Sequence, residues 1–432
     1  MSESYIEITE EYQRVLDLIE AKTPITFVTG RAGTGKSTLI SLIQDRYPND
    51  HVLAAPTGIA ALNIKGQTIH TLFGFPPVTL TLSALENRRC PNFDLFKHLK
   101  LLIIDEISMV RADMLRNIDV CLRRWRRSNE PFGGVQILFF GDLLQLPPIV
   151  TEDEHDEYYS EFDSPWFFEA PVIRQFGMAS VELTRTFRQS DEVFRDILNR
   201  IRENDDHRES VACLNRTCYR DFDKGEREIV LCGYNRTADN INENKLYTLE
   251  GEEKVYLGVK RGAFKGKRLP APYELRLKVG AQVMITKNIE NAVNGSLGTV
   301  HSLGDKVIFV RLKETGKCIE VNREVWEQQE FGSVDGVIEA QAVGDYAQFP
   351  LKLAWAISIH KSQGITLDSV EIDLGKGAFA PGQAYVALSR CKTLEEIKLV
   401  KPLSMKDVRA DKDVLAFYDH LRQSQEFWNN VA

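Results

Sequence analysis

The chain has 432 residues, with 54 Lys plus Arg against 62 Asp plus Glu, so its formal net charge is −8 and its pI is near 5.7. Apolar residues make up 43% and charged residues 27%; this ordinary globular usage excludes a disordered tail and, at about 150 residues per domain, suggests roughly three structural units. No stretch approaches the roughly 18 apolar residues of a membrane-spanning helix, and the start Met1-Ser2-Glu3-Ser4 lacks both parts of a secretory signal, so a cytoplasmic chain with no membrane partner is expected.

In chain order, Ile8, Tyr12, Val15, Leu16 and Ile19 recur at helical spacing, with Thr9 as a candidate N-cap and Glu10 and Glu11 in the first turn, so a helix opens the chain. Short apolar runs at 25–29, 52–55, 101–104 and 135–140 alternate with amphipathic stretches, the pattern of a parallel sheet covered by helices. From about Val181 the alternation resumes, with a helix at Val193, Phe194, Ile197, Leu198 and Ile201, a strand at 228–232 and a helix near 238–246. Between about 251 and 345 it is interrupted by short strands at 282–286, 297–301, 306–311 and 318–321, separated by Asn-Gly, Leu-Gly-Asp and Thr-Gly turns, which predicts a small inserted β-barrel. The α/β pattern returns at 353–357, 370–373 and 396–400, with a helix around 383–389. Seven cysteines without a Cys-x-x-Cys pair indicate neither a disulfide framework nor a zinc site. The acidic balance argues against coating duplex DNA through a broad basic face, and leaves room for a local basic channel.

Gly30-Arg31-Ala32-Gly33-Thr34-Gly35-Lys36-Ser37 follows the first strand and precedes a helix at Leu39-Ile40, the context a phosphate-binding loop requires. Its glycines let backbone N–H groups curl around phosphate oxygens, Lys36 supplies a charge for the β- and γ-phosphates, and the Ser37 hydroxyl suits magnesium. Asp105-Glu106 emerges at the carboxyl end of the 101–104 strand, where α/β sheets bind ligands. Asp105 would hold the metal and Glu106 would polarise water, whereas a lone acidic pair there is as often a solvated turn. Gln145, within Gly141-Asp142-Leu143-Leu144-Gln145-Leu146-Pro147-Pro148, is a candidate γ-phosphate sensor or a polar loop residue. Arg188 and Arg390 suit either arginine fingers or structural ion pairs.

Together with these, Ala55-Pro56-Thr57-Gly58-Ile59-Ala60-Ala61, Gly66-Gln67-Thr68-Ile69-His70-Thr71, Phe187-Arg188-Gln189, Ile359-His360-Lys361-Ser362-Gln363-Gly364 and Tyr385–Arg390 make the chain resemble superfamily 1 group B helicases. Met109-Val110-Arg111-Ala112-Asp113-Met114-Leu115, running on to Asn117-Ile118-Asp119, resembles the signature of the petite-integration-frequency (PIF) family within that group. The resemblance spans nearly the whole chain, from Gly30 to Arg390. It implies an α/β architecture of two RecA-like P-loop domains in tandem, with a small wedge inserted in the first and an SH3-like β-barrel in the second. The expected division is 1–183 for the first domain with its wedge at about 64–80, 184–250 and 346–432 for the second, and 251–345 for the barrel.

The resemblance further implies an ATP- and Mg2+-dependent DNA helicase moving 5′-to-3′ on single-stranded DNA, with fork and G-quadruplex DNA as partners. An RNA helicase or a nucleotide-dependent switch without translocation are the alternatives. Lys36, Asp105, Glu106, Gln145, Arg188 and Arg390 become catalytic, and Ser37, Asp105 and Glu106 hold the metal. Gly30, Ala32, Gly33, Thr34, Gly35, Lys36, Ser37, Thr38 and Gly364 contact the nucleotide. Such helicases read adenine with an N-terminal glutamine; here Tyr12 occupies its slot and Gln13 follows, so Gln13 is the candidate reader unless Tyr12 belongs to the core and Gln13 to solvent. Pro56, Thr57, Thr68, His70, His360, Lys361 and Gln363 would face the strand.

A motor indifferent to sequence should grip phosphates and stack bases, which suits the hydroxyls and histidines in that set. Phe73 and Phe75, with Pro76 and Pro77, form either a stiff wedge at the duplex junction or a packed turn. Arg123-Arg124-Trp125-Arg126-Arg127 closes a helix whose core positions are Leu115, Ile118, Leu122 and Trp125, which favours helix-end cations over a nucleic-acid patch. Residues 260–268 set five cations around Phe264, as a solvated loop or a trailing DNA contact. With the phosphate loop beginning at Gly30, a bacterial or viral monomer lacking a long leader is expected; nuclear or mitochondrial placement would apply only to a eukaryotic source.

Overall fold

The computed structural model describes residues 8–31, 33–76, 79–185, 191–219, 229–264, 269–334 and 337–431. The first unit is built on a six-stranded parallel sheet: β1 (Ile25–Gly30), β2 (His51–Ala55), β3 (Gln67–Thr68), β4 (Leu101–Ile104), β5 (Gln136–Gly141) and β6 (Ala179–Leu183), in the order β3-β2-β4-β5-β1-β6. Every residue of β1, β2 and β4 is buried, because helices cover both faces; hence the unbroken apolar runs in the sequence. Two strands fall outside the expected set. β3 has two residues, too few for a period to show. β6, at the end of the expected first domain, is not named among the expected strands; it pairs with β1 through Thr26↔Ala179 to Gly30↔Leu183.

The second unit opens with β7 (Ile229–Cys232). The insertion follows as β8 (Lys254–Leu257), β9 (Val259–Gly262), β10 (Glu274–Leu277), β11 (Gln282–Ile285), β12 (Leu297–Leu303), β13 (Val307–Leu312), β14 (Cys318–Asn322), β15 (Glu324–Val334), β16 (Val337–Gln348) and β17 (Leu351–Leu353). Then β18 (Ala356–Ser358), β19 (Val370–Asp373) and β20 (Ile397–Leu399) join β7 in a second parallel sheet ordered β18-β7-β19-β20. The tandem α/β architecture thus matches the expectation, and the insertion differs from it in detail. Among the described residues its strands form three separate ladders, β10-β8, β14-β13-β12-β11-β17 and β15-β16-β9, rather than one closed ring. It also continues past 345, since β17 pairs with β11.

Two elements return to the first unit across the expected boundaries. The β15–β16 hairpin carries Phe331 and Ile338 into the first unit's core, where Asn92 Nδ2 donates to the Phe331 carbonyl at 3.4 Å. The C-terminal helix Lys412–Val431 does the same with Val414, Tyr418 and Leu421, and Phe417 stacks on Phe168 at 4.2 Å. This helix falls within the expected second domain, 346–432, but its apolar face belongs to the first unit.

The wedge expectation is also corrected. Phe73 is fully buried and Phe75 nearly so; they stack at 5.3 Å, and Phe73 continues onto Phe96 and Trp125. Neither ring faces a strand: burying two aromatics against two more outweighs exposing them. The helices inserted between β3 and β4 instead include Leu82–Glu86 and Phe93–His98. The signature segment anchors this region. Arg111 bonds Asp113, Glu154 and Thr79, and buried Arg116 donates to the Leu80 carbonyl at 3.0 Å. The arginines at the end of helix Ala112–Arg126 cap neighbouring carbonyls: Arg124 those of Leu85 and Arg88, and Arg126 those of Gly133, Phe96, Lys97 and Leu99.

Candidate nucleotide site and strand-facing surface

β1 ends at Gly30, and the chain turns through Gly33 and Gly35, both at positive φ (82° and 86°), into helix Lys36–Arg46. A Cβ on Gly30 would lie 2.6 Å from Thr34 Oγ1 and 2.7 Å from the Leu183 carbonyl, so only glycine fits between the loop and β6. Thr34 Oγ1 donates to the Arg31 carbonyl at 2.9 Å. Lys36 Nζ lies inside the curve, donating to the carbonyls of Gly30 at 2.5 Å and Arg31 at 3.0 Å. Burial pulls its pKa down, against the opposing charges of Asp142, Glu106 and Asp105. Ser37 and Thr38 are exposed in the first turn of the helix. Ala32 lies outside the described residues.

At the end of β4, Asp105 Oδ1 accepts from the Glu106 backbone N–H at 2.9 Å, and Glu106 adopts a left-handed φ of 52°. That conformation costs a non-glycine residue free energy and clusters at functional sites. Burial raises both carboxyls; Glu106, with Asp105 beside it, reaches about 7, while Lys36 and Arg390 pull the other way. Two carboxyls at one strand end, both with raised pKa values, are suited to a cation in their company.

β5 leads into the third motif. Asp142 is fully enclosed and its Oδ2 accepts from Gln145 Nε2 at 3.3 Å, while Gln145 Oε1 accepts from Gln363 Nε2 at 3.4 Å. Gln145 is thus bonded to both α/β units. Gly382, at the start of helix Gln383–Leu388, explains how close they come: a Cβ there would lie 2.0 Å from the Gln145 carbonyl oxygen.

Other expected nucleotide contacts fare differently. Gln13 is exposed and donates to Asp17 Oδ1 at 2.7 Å on its own helix, on the side away from the phosphate loop's Tyr12 contact. Tyr12 is buried and its hydroxyl donates to the Gly35 carbonyl at 2.8 Å; the first helix therefore braces the phosphate loop through Tyr12. Arg390 is fully buried, with Nε donating to the Val386 carbonyl, Nη1 to those of Ser362 and Ile365, and Nη2 to Ser389 Oγ. Its charge is felt at Glu106, but these bonds hold it within the second unit rather than projecting it as a finger. Arg188 lies outside the described residues. Gly364 is exposed with φ 76°, at the turn that follows His360–Ser362.

On the neighbouring edge, β2 and β3 run in parallel with Ala55 opposite Thr68, so Pro56-Thr57 and Thr68-Ile69-His70 emerge side by side. Thr57 and Thr68 each cap a short helix, accepting from the N–H groups of Ala60 and Thr71 at 3.2 Å. His70 and His360 are partly buried and their pKa values are lowered by desolvation, so both rings are neutral near pH 7 and act as surfaces and hydrogen-bonding groups. Lys361 is exposed beside His360.

The sequence reading missed two aromatics here. Tyr234 stacks on Phe379 at 4.7 Å and Phe379 on His360 at 6.2 Å, with near-parallel planes. Tyr234 is 57% and Phe379 44% exposed. They follow the carboxyl ends of β7 and β19, and His360 follows that of β18, so three adjacent strands present one continuous aromatic surface. The signal was partial: Tyr234 and His360 closely follow the ends of β7 and β18, where ligands of α/β sheets gather, whereas Phe379 lies further along the segment after β19.

The family described as PIF1-like helicase matches residues 7–212, and that described as DNA helicase Pif1, 2B domain, matches residues 267–303. The ATP-dependent DNA helicase PIF1 of Danio rerio is 36% identical over 434 residues, which cover 97% of this chain and 64% of that protein; the chain thus spans slightly less than two-thirds of its length. The ATP-dependent DNA helicase Pif1 of Bdellovibrio bacteriovorus is 33% identical over 96% of this chain and 92% of its own. Among solved structures, Bacteroides sp Pif1 with ADP-AlF4 is 37% identical, with a TM-score of 0.89 over 97% of this chain and 98% of that one. The Bacteroides Pif1 complex with ADP-AlF3 and ssDNA is 38% identical over the same shares, with a TM-score of 0.70.

Proposed function

The chain belongs to the PIF1-like helicase family, and from that premise we propose that it is an ATP-driven DNA helicase. In this reading it moves 5′-to-3′ along single-stranded DNA as a monomer in the cytoplasm and opens duplexes, forks and G-quadruplexes. The observation that carries the coupling of nucleotide to strand is Gln145, whose amide bonds Asp142 beside the phosphate loop and Gln363 beside the strand-facing His360 and Lys361.

ATP would enter with its phosphates in the 30–37 loop, Lys36 exchanging its carbonyl partners for phosphate oxygens. Ser37 and Asp105, with Glu106 nearby, fit a magnesium ion: a hydroxyl and one or two carboxylates, the remaining positions falling to water and phosphate. Such an ion would neutralise charge on the transferring phosphoryl group. Glu106, whose raised pKa suits a base near neutrality, would orient and deprotonate the attacking water. Arg390 would reach the γ-phosphate only by trading its bonds to the 362–365 backbone, so delivery of its charge would remodel the loop that carries Gln363 and follows Lys361. The strand would lie over Thr57, Thr68 and His70 on one unit and the Tyr234–Phe379–His360 stack on the other. ATP-dependent closure and reopening between them would then move the chain along DNA.

A forked DNA carrying only a 5′ or only a 3′ single-stranded tail tests this reading. Unwinding of the 5′-tailed fork alone is expected; equal or preferential opening of the 3′-tailed fork would reject the polarity, and opening of neither would reject the helicase.

A further inference from the structure

In helix Glu192–Glu203 the apolar stripe Phe194, Ile197, Leu198, Ile201 reaches its next inward position at residue 202, where an arginine stands. The Arg202 and Asp142 side chains are both 0% exposed; Nη2 donates to Oδ1 at 2.9 Å and Nε to Oδ2 at 3.4 Å. The pair crosses from the second unit to the first. Its guanidinium also lies 5.8 Å from the centre of the Tyr418 ring, and the Tyr418 hydroxyl bonds Thr29 Oγ1 at 2.6 Å, one residue before the phosphate loop. Glu203, next on the helix, faces Arg31 of the loop itself at 3.8 Å.

We propose that Arg202 is the positioning residue through which the second domain sets the ATP site, by holding Asp142 and thereby Gln145 and Lys36. The proposal rests on the helicase reading above and names a residue that reading does not use. Asp142 Oδ1 accepts from Arg202 and from the Leu144 N–H at 3.2 Å, and Oδ2 accepts from Arg202 and Gln145 Nε2. Because Asp142 takes the Gln145 amino group, Gln145 must present its oxygen to Gln363. One carboxylate therefore fixes which end of the sensor amide faces the strand loop. The other cation acting on Asp142 is Lys36. With Arg202 removed, a buried carboxylate would draw Lys36 toward itself and away from phosphate, since an uncompensated buried charge is costly. Any movement of helix Glu192–Glu203 thus bears on both Lys36 and Gln145.

The test compares wild type, Arg202→Met, Arg202→Lys and the double variant Arg202→Met/Asp142→Asn, measuring Tm and the kcat and KM of ATP hydrolysis with and without a thymidine oligonucleotide. Wild type is read first: no strand stimulation there would sink the helicase reading irrespective of Arg202. Arg202→Met is expected to lower Tm and to cut strand-stimulated kcat roughly tenfold or more. The double variant, having no unpaired charge, is expected to recover Tm without recovering stimulation. Arg202→Lys, which keeps the charge but not the fork, should fold and fall between. Recovery of strand-stimulated turnover in the double variant to within about twofold of wild type, or its retention in Arg202→Met, would show that the pair only compensates charge and would overturn the proposal.

Discussion

Lys352 lies on β17, where burial and the neighbouring Lys361 charge pull its pKa down to about 8. Its folded-state value lies below that of the unfolded chain, so the charged form costs stability. That cost is full below pH 8 and fades as pH rises from 8 toward the ordinary lysine value. Lys352→Met should therefore raise Tm at pH 7, with a gain that shrinks between pH 8 and 10; a gain independent of pH would contradict the electrostatic origin. Tyr234 and Phe379 lead to a different measurement. Base–aromatic stacking is worth about 1–3 kcal/mol per base, so either residue changed to Ala should weaken single-strand binding about 5- to 150-fold. Neither carries charge, so the salt dependence should keep its slope; unchanged affinity would place the strand elsewhere. Residues of this kind were the least legible from sequence. Lys36, Asp105 and Glu106 stand out because a spacing and a strand end announce them, whereas Arg202 reads as one more cation until its position on an apolar stripe is noticed. Gln13 and Tyr12 show the converse: adjacent on one helix, they point to opposite sides, and only the helix phase against the core decides which meets the loop.

Strands buried on both faces were legible because burial forces unbroken apolar runs, as in β1, β2 and β4. What the sequence concealed were partners chosen by distant elements. The β15–β16 hairpin sets its few buried residues apart by exposed and half-buried runs, and nothing local says that Phe331 and Ile338 will seat on the first unit. The hairpin bridges the insertion and helix Phe93–His98, with Ser333 Oγ 3.3 Å from His98 Nδ1. Phe331→Ala should remove up to about 3 kcal/mol of seating. It should show as faster hydrogen exchange in 324–348 and 93–98, with the two parallel sheets still protected. Exchange that rises equally throughout the chain would mean that the hairpin is part of one cooperative unit instead. The C-terminal helix carries the same lesson. The core it completes was not legible, because chain order placed 346–432 with the nearer sheet, whereas Val414, Tyr418 and Leu421 pack into the first unit.

For the whole molecule, the tandem architecture followed from the rhythm of strands and helices, and the candidate nucleotide site is proposed from motifs at strand ends. The insertion was visible as a change of rhythm, although its division into three ladders and its extension through β17 depend on pairings that short strands do not encode. The cleft between the α/β units depends on contacts at long separation: Gln145 with Gln363, Asp142 with Arg202, and Gly382 against the Gln145 backbone. Through these contacts the proposed motor would bind ATP turnover at Lys36 and Glu106 to a strand gripped across both units. Steady-state ATP hydrolysis measured against rising concentrations of a thymidine oligonucleotide, in wild type and in Lys36→Ala, tests it most directly. Wild-type turnover should rise about tenfold or more and saturate, while Lys36→Ala should bind the oligonucleotide and hydrolyse almost nothing; a wild-type rate indifferent to the strand, or near-normal turnover without Lys36, would contradict it.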